Sequence, residues 1–155
     1  MTVTDLLLMA QAVASGAMCG LIWFVQVVHY PLFARVTGAG DREYAAEHQR
    51  RTAWVVIPFM LVEGAVAALL AITPPSGIPR AAAGAGLGLV MLVWASTAAV
   101  QMPLHGRLGR EGHVPAAVAA LVRSNWPRTV LWTARALLAV WMLRAGSVPC
   151  GDGCL

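Results

Sequence analysis

The chain has 155 residues, 59% hydrophobic and only 12% charged, with mean hydropathy +0.69 and formal net charge +4. That balance excludes an ordinary soluble domain and points to an integral membrane protein. All eleven basic residues are arginine and they flank apolar stretches. They read as topology determinants, so no nucleic-acid partner is expected.

Four apolar stretches, roughly 5–30, 52–72, 84–104 and 127–146, each cover about the twenty residues that a bilayer's hydrocarbon core requires of a helix. The first should run from Thr4 to Tyr30, where Pro31 interrupts or ends it. Gly38 and Gly40 mark a turn over 37–42, and 43–51 reads as a polar helical lead-in to the second span. Pro58 is expected to kink that span. The Pro-rich 73–80 segment is a short turn that makes spans two and three antiparallel neighbours. Gly16 and Gly20 in span one, and Gly84, Gly86 and Gly88 in span three, have the spacing that lets helices approach closely in lipid. The fourth span is expected to start near Trp126–Pro127, with proline in the first turn. The fold expected is all-α, an integral membrane four-helix bundle, up-down-up-down, forming one domain over 1–146. A tail, 147–155, carries Cys150 and Cys154, whose spacing allows a disulfide or metal contact; the expected reading is a mobile terminus with an incidental disulfide.

The loop 31–51 and the loop 105–128 carry four arginines each, whereas only Arg80 and Arg144 lie towards the opposite side. The positive-inside rule then puts both Arg-rich loops in the cytoplasm and both termini outside, as in a bacterial inner membrane. The first segment lacks a basic start and a cleavage site, and reads as a span instead of a removable signal peptide. A faint repeat links Pro31–Arg35 with Pro103–Arg107, and Arg51-Thr52 with Arg128-Thr129. A duplicated two-helix hairpin explains both matches and makes His29 equivalent to Gln101.

Polar residues inside a membrane are costly and mark candidate sites. Helical spacing aligns His48, Thr52, Phe59 and Glu63; Asn125, Arg128, Trp132 and Arg135; Trp94, Thr97, Gln101 and His105; and Cys19, Gln26 and His29. Each stripe reaches the Arg-rich end, which predicts a shared polar pocket. Glu63 and Arg135 fall at similar depth, so they are expected to pair, either as a register-fixing ion pair or as a pocket floor. His29, His48 and His105 form the upper layer, as candidate ligands of a metal ion or haem b or as acid–base groups. Interfacial hydrogen bonding is the plainer role for each of them taken singly. His113 reads as a loop residue, and Trp23, Trp54 and Trp126 as interfacial aromatics.

The run Asn125–Trp132, with Gln101–His105 before it, resembles the small four-span proteins of the anthrone-oxygenase-like family. The resemblance is carried mainly by residues 94–135. It implies a membrane bundle and, for some members, oxygenation of polycyclic phenols, with Asn125, Arg128 and His105 in the matching polar run. His29-Tyr30-Pro31 and Glu47-His48 depart from that pattern. The expectation is a membrane oxidoreductase acting on a lipophilic small molecule, with Arg128, Asn125, Gln101, Glu63 and Arg135 orienting its polar atoms. A di-His haem- or metal-binding electron carrier and a small homo-oligomeric transporter are the alternatives.

Overall fold

The computed structural model describes residues 1–146, so Cys150 and Cys154 lie outside the described residues. The regular elements are all helical: α1 Val3–Phe33, α2 Asp41–Ile72, α3 Arg80–Glu111 and α4 Pro115–Gly146. Thr2 caps α1 by accepting from the Asp5 N–H at 3.2 Å while its own N–H donates to Asp5 at 2.7 Å. Asp41 and Glu43 sit in the first turn of α2, where the helix dipole favours them.

Helices α1, α2 and α3 are long and apolar enough to cross a membrane. Helix α4 has 32 residues, as α2 has, but carries Arg123, Arg128, Arg135 and Arg144 and is not among them. The four pack as a ring, α1 against α2 and α4, and α3 against α2 and α4. Neighbours run antiparallel, since Ser15 meets Glu63, Gly64 meets Trp94, Gly86 meets Arg135, and Gly146 meets Leu8.

Two features correct the sequence reading. Pro31 does not end the first helix. Instead α1 passes through a π-turn over Val25–His29, closed by Tyr30 N–H donating to Val25 C=O, and continues to Phe33. Helix α3 does the same over Thr97–Gln101, with Met102 N–H donating to Thr97 C=O, just before Pro103. A widened turn displaces the carbonyl that a proline ring would otherwise strike. The second correction concerns α4, which begins at Pro115, so Pro127 lies inside the helix and not in its first turn. The reason is burial: Ala117, Val118 and Leu121 pack against Tyr30, Phe33, Ala45 and Leu108, and that core holds the extra turns helical.

The link from α3 to α4 is therefore only residues 112–114. Gly112 takes φ +82°, and a Cβ there would lie 2.6 Å from Asp41 Oδ1. The His113 N–H donates to the same carboxylate at 2.8 Å, tying the link to the start of α2. Of the glycines expected to bring helices together, Gly86 does so, with Arg135 Nη1 3.2 Å from its Cβ position. Gly16, Gly20, Gly84 and Gly88 have nothing within 4 Å and face outward.

Candidate functional site

The end of the helices nearest the 34–40 and 112–114 links gathers the histidines. His29, at the close of the α1 π-turn, stacks on His48 of α2, ring centroids 4.4 Å apart and planes 25° off parallel. His48 lies 5.4 Å from His105 of α3 in turn. Tyr30 Oη and His105 Nε2 share a hydrogen bond of 2.9 Å, its direction set by the imidazole tautomer. The His48 ring shares another, of 3.2 Å, with Thr52 Oγ1 one turn along the same helix. Phe33 closes the cluster with edge contacts to His29 and His48.

Convergence of the three imidazoles is what the sequence stripes predicted. Their disposition is not that of ligands. His29 and His48 stack face to face, His105 lies tilted 37° from His48, and among the described residues no three His, Cys, Asp or Glu side chains form a metal cage. Haem b between two of these imidazoles needs the porphyrin plane to separate them, and rings stacked at 4.4 Å leave no such gap. Neither a shared metal ion nor haem fits the arrangement as it stands.

Below the histidines lies a cavity of about 310 Å³, lined by residues of all four helices. Its wall is chiefly apolar, with Met18, Ile22, Val25, Val56, Ile57 and Met60 prominent. Against it stand the polar groups of Tyr30, His48, Gln101, His105 and Arg128. Arg128 Nη1 donates to Asn125 Oδ1 at 2.9 Å, and Asn125 Nδ2 donates to Gln26 Oε1 at 2.9 Å. Gln26 in turn donates to the Val122 carbonyl at 3.2 Å. This buried chain fixes Arg128 from behind, and the guanidinium lies 5.1 Å above the Trp132 ring. Such a cation–π contact contributes about 0.5–2 kcal/mol. Gln101 Nε2 donates to Ser124 Oγ at 3.0 Å, which turns its carbonyl oxygen loose. Three buried atoms of cavity-lining residues, Gln101 Oε1, His105 Nδ1 and Arg128 Nε, have no hydrogen-bond partner among the described residues. Buried polar atoms are nearly always partnered, directly or through ordered water, so these three mark a polar layer behind the cavity wall.

One turn deeper the arrangement differs from the expected ion pair. Glu63 accepts from Ser15 Oγ at 2.6 Å and from Trp132 Nε1 at 3.0 Å, and it makes no direct salt bridge with Arg135. Arg135, 1% exposed, has no partner on any guanidinium nitrogen and interacts with Glu63 only through space. The expected direct pair is not formed, because Ser15 and Trp132 take up the two carboxylate oxygens. Trp132 thus floors the cavity with one ring face while its N–H holds Glu63.

Of the expected site residues, His48, Gln101, His105 and Arg128 line the cavity; Asn125 supports Arg128 from behind; His29 stacks outside; Glu63 and Arg135 lie beneath. Tyr30, Ser15 and Ser124 were missed. Ser15 was legible, since Gln11, Ser15 and Cys19 repeat at four-residue spacing on one face of α1. Trp54 is 79% exposed and Trp23 packs edge-on against Trp126 at 5.9 Å, on the outer surface. No protein family, curated protein or solved structure matches the chain.

Proposed function

We propose that this protein is a membrane four-helix bundle, built of two similar hairpins, that acts as an oxygenase-like oxidoreductase on a lipophilic small molecule. The observation that carries the reading is the mainly apolar cavity with Tyr30, His48, Gln101, His105 and Arg128 gathered in its lining. Its size is at the lower end of small-molecule sites, which run from about 300 to 1,000 Å³. A flat ring system fits between Met18, Val56, Ile57 and Met60, with its oxygen function turned towards Arg128. Arg128 favours negative charge on that oxygen, and Gln101 accepts from a neighbouring hydroxyl. The Tyr30–His105 pair is placed to take the proton as the ring becomes an electron-rich anion, the form most readily oxidised. The resemblance of Asn125–Trp132 to anthrone-oxygenase-like proteins agrees with this chemistry. Dioxygen uptake by the purified protein with a hydroxyanthrone tests it. Uptake above the protein-free rate, lost in Tyr30→Phe and His105→Phe, is expected; uptake equal to the protein-free rate sinks the enzyme reading.

The same reading places the histidine end in the cytoplasm, because seven arginines besides the buried Arg128 lie towards that end, against Arg80 and Arg144 at the other. Both termini then lie outside, as in a bacterial inner membrane. A C-terminal reporter active only in the cytoplasm should stay silent, and a strong signal would reverse the orientation.

A further inference from the structure

A shallow groove lies at the surface beside the cavity, rimmed by Glu43, Tyr44, Glu47 and Arg51. Only His48 and Thr52 line both the groove and the cavity. His29, though stacked on His48, lines neither. A proton released at the Tyr30–His105 pair therefore meets one ionisable side chain on the way to the groove, and that is His48.

We propose that His48 is the proton-exchange residue of this cavity, carrying protons between an acid bound at Tyr30–His105 and water in the outer groove. The proposal rests on the reading of the cavity as the site of an acidic lipophilic ligand. The groups facing His48 suit the task from every side. From α1 comes His29, stacked on its ring; from α3 comes His105, 5.4 Å away; from α4, Arg128 stands across the cavity. On its own helix Thr52 shares a hydrogen bond with Nδ1, while Glu47 is held by Arg50 and Arg51. That leaves Glu43 as the exposed carboxylate of the groove rim.

Imidazole suits this because it accepts a proton at one nitrogen and releases one from the other. The ligand's hydroxyl proton passes to the Tyr30–His105 pair, His105 gives its own to His48 after a small ring rotation or through one water, and His48 releases one to the groove. No electrons move, and each residue ends as it began once the ring has turned back. Tyr30 is buried and His105 Nδ1 has no accessible surface, so the step through His48 limits exchange.

A pH jump on purified protein in nanodiscs with bound 1-naphthol tests the proposal, since naphtholate absorbs at longer wavelength than the neutral phenol. In His48→Phe, which keeps a flat ring for the stack, re-equilibration should be at least about tenfold slower than in wild type. 1-Naphthol binding should remain saturable, so that the exchange rate is read on bound ligand, and free imidazole in the buffer should restore most of the rate. His48→Gln, which keeps a polar contact for Thr52 but cannot relay a proton, should be equally slow. A His48→Phe protein that binds as wild type does and equilibrates as fast overturns the proposal and leaves the cavity reading standing. Loss of binding in both variants makes His48 a binding contact and also overturns it. Absence of saturable 1-naphthol binding by wild type overturns the cavity reading and the proposal together.

Discussion

Replacing Glu63 by glutamine should destabilise the protein by about 3–5 kcal/mol, the usual cost of removing a buried charge whose neighbours remain. The side chain keeps its volume, so the loss isolates the chemistry. Ser15 and Trp132 both donate to the carboxylate, and an amide offers an acceptor to only one of them. The other donor is left buried and unmade, at about 1–3 kcal/mol. Arg135, already without a hydrogen-bond partner, loses its nearby countercharge as well. Adding Arg135→Leu to Glu63→Gln should therefore recover part of the loss. Unfolding in mixed micelles measures all four corners of that cycle, and strictly additive losses would show that the two charges do not act on each other.

Arg128→Leu should weaken binding of 1-naphthol by about tenfold to a hundredfold, which corresponds to one lost charge-assisted hydrogen bond. Binding of naphthalene, which has the same ring and no oxygen, should hold or improve because the cavity becomes more apolar. Arg128→Lys should not rescue the loss fully. A lysine carries the charge but lacks the planar fork that holds Asn125 with one arm while the rest of the guanidinium stands at the cavity. Equal losses for both ligands would mean that Arg128 only shapes the wall.

How far these residues were legible in the sequence follows from what helical periodicity encodes. Spacing fixes which side chains share a face of one helix, so the stripes on α1 to α4 were readable and the histidines did converge. Spacing also gives depth along each helix, which is why Glu63 and Arg135 were expected to pair. It does not fix rotation about the neighbouring axis, and that decided that Glu63 meets Ser15 and Trp132. The π-turns before Pro31 and Pro103 carry no residue signature, and each shifts the face of every residue beyond it. Tyr30, placed just after the first of them, was invisible as a site residue for that reason. The start of α4 was misjudged because Pro115 and Pro127 are equally good first-turn prolines by local chemistry. Packing of Val118 and Leu121 against α1 chose between them. A convergence of histidines suggests a metal by composition alone, and ring orientation, which no sequence encodes, is what stacked His29 on His48 and tilted His105 beside them.

The claim at the centre is that the cavity between the four helices holds a lipophilic ring by its oxygen. Equilibrium binding of 1-naphthol and of naphthalene to the purified wild-type protein tests it most directly. One saturable site per chain is predicted, at least about tenfold tighter for 1-naphthol than for naphthalene, from one charge-assisted hydrogen bond at Arg128. Equal affinity for the two, or uptake that rises linearly without saturation as in plain lipid, would contradict it.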